Sequence, residues 1–188
     1  MAKKRVVFLG PPNSGKGTQA VRLAALLGVP AISTGDMLRL EKAAGSELGK
    51  RVASILDSGQ LVDDALMAEV VTSRLAQADA REGFLLDGYP RTLPQAATLE
   101  GILEGQNAKL DHVLLVDAPE EVLVKRALGR GRVDDTEPVV RERLRVYRDQ
   151  TSPLVDHYRR QGLLREIDGN LEIATVEAAI HDACEIGK

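Results

Sequence analysis

Sulfur-containing and aromatic side chains are scarce in this sequence of 188 residues. It has one cysteine, Cys184, no tryptophan, and 3% aromatic residues. A single cysteine cannot form an internal disulfide or a four-thiolate zinc site. With so few aromatic rings, a surface that stacks nucleic-acid bases is not expected either. We therefore expect no zinc, no disulfide and no nucleic-acid partner.

A strong net charge and long apolar runs are also missing. The formal net charge is −3, which gives no reason to expect nucleic acid or an anionic membrane as a partner. The apolar run at 6–9 is too short for a signal peptide or a membrane span. With 44% hydrophobic and 28% charged residues, the composition is typical of a soluble globular protein. We expect a cytoplasmic protein with one domain over 1–188.

Short apolar runs alternate with amphipathic stretches along the chain. The runs are mostly apolar without alternation, as strands of a parallel sheet covered on both faces are. Predicted strands lie at 5–9, 31–33, 84–87, 112–117 and 163–168. Helical patterns separate them, which predicts a doubly wound α/β domain.

Several helix ends can be read from single residues. Gly28 is expected to close the first helix, and Thr34 or Asp36 to cap the second. A long helical region at about 137–161 should be kinked or divided at Pro153.

The segment "GPPNSGKGTQ" (10–19) follows the first predicted strand. Gly10 and Gly15 allow backbone N–H groups to surround phosphate oxygens, and the following helix presents its positive end to them. Lys16 can reach a transferred phosphoryl group, and Thr18 can orient a nucleotide-bound Mg²⁺. The alternative is a glycine-rich turn with an incidental lysine, but the strand–turn–helix context favours a nucleotide loop. Binding switches use the same loop, so it does not identify a reaction.

Basic residues form the second candidate feature. A bound nucleoside triphosphate concentrates negative charge and needs several fixed cations, a task that suits the planar fork of arginine. Any one of these arginines could instead be a solvated surface group, but the closely spaced charges of "KRALGRGR" (125–132) favour a bound anion. The candidates are Lys16, Arg39, Arg91, Arg126, Arg130, Arg132 and Arg143.

Four segments in this order carry a family resemblance. They are "GPPNSGKGTQ", "STGDMLR" (33–39), "GFLLDGYPRTLPQA" (83–96) and "GRGRVDDTEPVVRERLRVYRDQTSPL" (129–154). Together they resemble the short form of the adenylate kinases, over essentially the whole chain. The resemblance implies a P-loop NTPase-type fold with a five-stranded parallel sheet flanked by helices. It also implies reversible, Mg²⁺-dependent transfer from ATP to AMP giving two ADP, for adenine nucleotide homeostasis, by an enzyme that is commonly monomeric.

The resemblance also implies a role for each matching residue. ATP is expected at Asn13, Ser14, Gly15, Lys16, Gly17, Thr18, Arg126, Arg130 and Leu171. AMP is expected at Thr34, Arg39, Gln60, Leu61, Val62, Gly88, Tyr89, Pro90, Arg91, Gln95, Arg132 and Arg143. The catalytic cations would be Lys16, Arg91, Arg130, Arg132 and Arg143. Thr18 and Asp87 would orient Mg²⁺ through water, although Asp87 could also be a turn residue.

The acceptor base is the sharpest question within this family. The carbonyl and amide of Gln95 match N6 and N1 of adenine. Pyrimidine relatives typically carry alanine in place of Thr34 and asparagine in place of Gln95, so AMP is favoured over UMP or CMP. Taken alone, Gln95 could be an exposed residue of a first helical turn. GTP as the donor stays open, and a nucleotide-binding switch without a second site is the alternative from another class.

Two moving parts are expected from the short form. Residues 129–138 would be a short lid loop, given mobility by its glycines, and residues 34–63 a helical AMP-binding segment. Asp134 and Asp135 could order the arginines when the lid closes or form a simple loop charge pair, and both readings stay open. Asn13 replaces a commoner glycine and is expected to tolerate positive φ.

Overall fold

A parallel sheet of five strands forms the centre of the computed structural model, which describes residues 4–186. The strand order is β2-β3-β1-β4-β5. Their bounds are Arg5–Leu9 (β1), Ala31–Ser33 (β2), Phe84–Asp87 (β3), His112–Asp117 (β4) and Leu164–Asp168 (β5). The predicted α/β class and parallel sheet are confirmed, and the last strand begins one residue later than predicted.

Helices connect the strands and cover both faces of the sheet. They are Lys16–Leu27 (α1), Thr34–Ala44 (α2), Glu47–Ser58 (α3), Asp64–Leu75 (α4), Leu93–Gly105 (α5), Glu120–Arg130 (α6), Glu137–Val146 (α7), Pro153–Arg160 (α8) and Ile173–Ala183 (α9). A short 3₁₀ turn lies at Ala78–Ala80, and a π-helical turn at Tyr147–Thr151.

The helix ends test the predictions made from single residues. Gly28 ends α1 in the left-handed conformation, as predicted. The predicted cap of α2 is wrong, because Ser33 caps the helix and its Oγ accepts from the Asp36 N–H at 3.3 Å. Thr34 is already helical and buried. The predicted division at Pro153 is confirmed, since this residue begins α8 after the π-helical turn.

The alternation of side chains along β1 builds two cores. Val6 and Phe8 pack with residues of α1 and α9, whereas Val7 and Leu9 pack on the opposite face with residues of α4, α5 and α8. Burying each of these side chains contributes roughly 1.5–3 kcal/mol. The sheet is therefore a rigid support for the loops that leave its carboxyl edge.

A third, smaller core joins α6 to α7. Leu123 and Ala127 of α6 pack against Val140 and Leu144 of α7. This contact fixes the ends of the short loop between the two helices, which covers residues 131–136.

Candidate active site

A cleft of about 1510 Å³ opens at the carboxyl edge of the sheet. β1 lies between β3 and β4, and β2 and β5 form the two edges of the sheet. The strand order therefore reverses at β1, and ligands of such sheets bind in the crevice at this point. The cleft brings together every predicted site residue except Tyr89. Its lining includes Asn13, Ser14, Gly15, Lys16, Gly17, Thr18, Thr34, Arg39, Gln60, Leu61, Val62, Asp87, Gly88, Pro90, Arg91, Gln95, Arg126, Arg130, Arg132, Arg143 and Leu171.

The glycine-rich loop follows β1 and ends on the first turn of α1. At Gly10 a Cβ would lie 2.1 Å from the Val116 carbonyl oxygen, so no side chain fits there. Asn13 has φ +68° and Gly15 has φ +102°. Asparagine is one of the few residues with a side chain that adopt positive φ readily, which explains how the loop keeps its turn at this position. The N-terminal end of α1, which carries a partial positive charge, lines the cleft.

Lys16 stands at the base of this loop. Its Nζ donates a hydrogen bond to the Pro11 carbonyl oxygen at 2.6 Å. Burial lowers the pKa of Lys16 to about 8, although the negative charge of Asp87 partly opposes the shift. The ammonium group is thus poorly solvated, and an anion in the cleft would stabilise its charged form.

The small residue directly after this lysine is Gly17, and it lies close to the Asp87 carboxylate. A Cβ at Gly17 would lie 3.3 Å from Oδ2 of Asp87, tighter than an ordinary contact. The carboxylate at the end of β3 therefore lies beside the first turn of α1, one residue before the exposed Thr18. A carboxylate and a hydroxyl at one helix end are oxygen ligands of the kind that Mg²⁺ uses.

The opposite wall of the cleft is built around the turn after β3. The Thr34 Oγ1 donates to the Asp87 carbonyl oxygen at 3.4 Å. A Cβ at Gly88 would lie 2.7 Å from that Oγ1 and 3.0 Å from Nη2 of Arg91, so the turn requires glycine. The Nε of Arg91 donates to the Gly88 carbonyl oxygen at 2.8 Å, which fixes the guanidinium in the cleft. Burial lowers the pKa of Arg91, with Asp87 opposing the shift.

Gln95 is 2% exposed, so it is not the exposed helix residue of the alternative reading. Its Oε1 accepts from the Arg91 N–H at 2.8 Å, and its Nε2 donates to Oδ1 of Asp64 at 2.7 Å. Asp64 is not among the residues predicted for the site. No local pattern relates residues 64 and 95, because the fold alone brings α4 beside α5.

Two arginines from different helices meet on one carboxylate. Arg130 at the end of α6 donates to both oxygens of Asp135, at 2.9 and 3.0 Å. Arg143 of α7 donates to Oδ1 of the same residue at 3.1 Å and also pairs with Asp134. The Asp135 side chain is 1% exposed. Of the two open readings, the structure therefore favours the one in which these aspartates order the arginines.

Asp36 links two further predicted arginines and was missed as a functional residue. It pairs with Arg39 on its own helix, and Nη2 of Arg132 donates to its Oδ1 at 3.3 Å. The sequence showed Asp36 only as a candidate cap. Elsewhere, Nη1 of Arg126 donates to the Gly169 carbonyl oxygen at 2.9 Å, near Leu171.

Two placements differ from the expected site. Tyr89 is 1% exposed and packs in the core, so its side chain does not line the cleft and it can offer a ligand only its backbone. The helix α6 extends to Arg130 and α7 begins at Glu137, so the first two and the last two residues of the expected lid loop at 129–138 are helical.

Residues 4–186 contain neither a cluster of metal-ligating side chains nor a membrane-spanning helix. No group of three or more His, Cys, Asp or Glu side chains is arranged to hold a metal ion there. In the same residues, no helix has both the length and the apolar character needed to cross a membrane.

Comparisons with known proteins agree on one family. The family model described as adenylate kinase matches residues 8–163. An adenylate kinase of Stenotrophomonas maltophilia (strain R551-3) is 51% identical, over 94% of this chain and 96% of that protein. Adenylate kinases of Sinorhizobium medicae (strain WSM419) and Prochlorococcus marinus (strain NATL2A) are 46% and 47% identical, over 94% and 95% of this chain and 97% of each relative.

Proposed function

The chain belongs to the adenylate kinase family and transfers a phosphoryl group reversibly from ATP to AMP, giving two ADP; we propose how the residues of its cleft share this work. The observation that carries the proposal is the shape of the cleft. A phosphate loop forms one wall, and the half-buried Arg91 with the buried Gln95 forms the other. Each wall suits one nucleotide.

ATP binds at the loop of residues 10–18. Backbone N–H groups and the positive end of α1 surround its phosphates. Lys16 turns from the Pro11 carbonyl to the phosphate that is transferred. Arg130 adds a second charge from the lid side, and Arg126 and Leu171 border the space for the base.

The Mg²⁺ of MgATP would be held by side chains beside the phosphate loop. Thr18 and Asp87 lie where they would hold it, directly or through water, and the phosphates supply further oxygen ligands. The chemical contribution of this ion is to neutralise charge on the phosphates.

AMP binds at the wall that contains Thr34 and Gln95. Arg39, Arg91, Arg132 and Arg143 hold its phosphate, and Gln95 pairs with its base. The backbone of residues 60–62 and of the Gly88–Pro90 turn completes the pocket.

Transfer needs no general base, because the attacking phosphate oxygen of AMP is already ionised at neutral pH. The protein supplies position and positive charge around the phosphates. The cations that touch the transferred group are Lys16, Arg91, Arg130, Arg132 and Arg143. Arg130 and Arg143 are already held by Asp135, so part of their ordering cost is met before substrate binds.

Residues 34–63 and 129–138 act as the two moving parts. Both contribute side chains to the cleft from outside the sheet, so their approach would exclude water from the transferred phosphoryl group. One chain lines both substrate sites, which supports a monomer, and we place the enzyme in the cytoplasm.

The test compares AMP, CMP, UMP and GMP as acceptors with MgATP. We expect the Thr34→Ala, Gln95→Asn double variant to lose on the order of 10–100-fold of its preference for AMP over CMP, because the first change removes a buried hydroxyl and the second withdraws the amide from the base by one methylene. Thr98→Ala is the matched control, since it removes one hydroxyl from the same helix at a residue that does not line the cleft. An unchanged preference in the double variant would refute the base assignment. Repeating the assay with GTP as the donor decides the donor base.

A further inference from the structure

The Gln95 amide has one free acceptor position and one free donor position after its contacts with the protein. A side-chain carbonyl has two lone pairs, and its amino group has two N–H bonds. The Arg91 N–H uses one lone pair of Oε1, and Asp64 uses one N–H of Nε2. One lone pair and one N–H remain for a ligand.

The orientation of this amide decides which purine it fits. Adenine presents an N6 donor beside the N1 acceptor. Hypoxanthine and guanine present the reverse pattern, an O6 acceptor beside an N1–H donor. An amide rotated by 180° exchanges its oxygen and nitrogen, so the rotated form would fit these 6-oxopurines and not adenine.

Asp64 opposes that rotation together with the Arg91 N–H, which would face the amino group of a rotated amide. A rotated Gln95 would turn its oxygen toward the Asp64 carboxylate, which only accepts hydrogen bonds, and two acceptors would face each other. The half-buried Asp64 is itself held in place, because the Thr92 Oγ1 lies 3.1 Å from both of its oxygens. The backbone N–H of Gln95 in turn donates to the Thr92 Oγ1 at 3.3 Å.

We propose that Asp64 is a positioning residue that fixes the orientation of the Gln95 amide, and that it thereby selects adenine over 6-oxopurine monophosphates. This inference rests on the proposed assignment of Gln95 to the acceptor base. Asp64 acts through Gln95 and does not touch the substrate.

The test is the substitution Asp64→Asn, which keeps the shape of the side chain but allows it to donate as well as accept. The measured quantity is kcat/KM for inosine monophosphate divided by kcat/KM for AMP, with MgATP as the donor. We expect this ratio to rise on the order of tenfold, because the rotated amide loses its repulsion from a charged acceptor. Glu69→Gln is the matched control, since it removes one negative charge from the exposed face of the same helix.

The same substitution in a Gln95→Ala background identifies how Asp64 acts. Without the amide, Asp64→Asn should leave the ratio unchanged, whereas a general structural effect would persist. If Asp64→Asn does not fold, Asp64→Ser gives the same test with a smaller side chain that can also donate.

Failure of this inference can be told apart from failure of the base assignment. An unchanged ratio in Asp64→Asn, or the same rise in Glu69→Gln, would overturn the inference while AMP turnover stays intact. If Gln95→Ala alone leaves the ratio at the wild-type value, the assignment of Gln95 to the base is wrong.

Discussion

At the scale of single residues, the phosphate loop shows why each position carries its residue. Asn13 takes a positive φ that most side chains resist. Gly17 leaves room for the Asp87 carboxylate. Lys16 is the residue whose charge state depends most on what fills the cleft, because desolvation has already lowered its pKa.

This shift predicts that ATP binding takes up a proton in mildly alkaline solution. Burial lowers the pKa of Lys16 to about 8 in the free protein, and phosphate would return it toward or above its ordinary value of 10.5. Between these values the complex binds more protons than the free protein, so ATP affinity falls as pH rises through this window. At about pH 9 we expect uptake of roughly one proton.

Calorimetry in two buffers of different ionisation enthalpy measures this uptake. Lys16→Arg is the control, because arginine stays charged and should bind ATP without a proton. Uptake of equal size in that variant would assign the proton to another group.

At the scale of elements, ion pairs and not apolar contacts hold the loop between α6 and α7 in place. Its Asp135 is the shared partner of Arg130 and Arg143. The apolar contacts of α6 with α7 hold the two helices at a fixed spacing. Loss of the carboxylate would leave two cations together with less compensating charge.

We therefore expect Asp135→Asn to lower the free energy of unfolding by about 1–3 kcal/mol, less than for a fully buried pair because Arg130 is partly exposed. Urea unfolding measures the change. Asp156→Asn removes an aspartate from an exposed pair with Arg159 and should have little effect. Equal effects of the two substitutions would show that Asp135 is an ordinary surface charge.

At the scale of the whole molecule, the two main cores hold the sheet, and the substrate-facing segments lie outside it. Helices α2 and α3 pack mainly on each other, and α3 also contacts α7. The segment of residues 34–63 and the lid thus approach each other across the cleft, where Arg132 meets Asp36.

A compound with two adenosines joined by five phosphates should occupy both substrate sites at once. We expect this compound to slow amide hydrogen exchange in residues 34–63 and 129–138 more than ATP alone does. The reason is that only the two-headed compound would contact both of these segments. Exchange in β4, which is buried and does not line the cleft, serves as the internal control. Protection confined to the loop of residues 10–18 would contradict a second site and the two moving parts.

Local chemistry explains what could be predicted from the sequence. Four of the five strand bounds, the glycine after α1 and the division at Pro153 all follow from residues close together in the chain. The cap of α2 was misread because Ser, Thr and Asp all suit that position, and only the burial of Thr34 against the Asp87 carbonyl decided between them.

The sequence by itself determined the sheet and the phosphate loop, because each carries a local pattern, and its family resemblance implied the set of residues that the cleft collects. The tertiary structure decided which charges and amides meet. Asp64 reaches Gln95 across 31 positions, and Asp36 reaches Arg132 across 96. Such pairs have no spacing rule, since a side-chain contact between elements depends on how the helices pack and not on their order. Burial, which shifts the pKa of Lys16 and removes Tyr89 from the cleft wall, is likewise a property of the folded molecule.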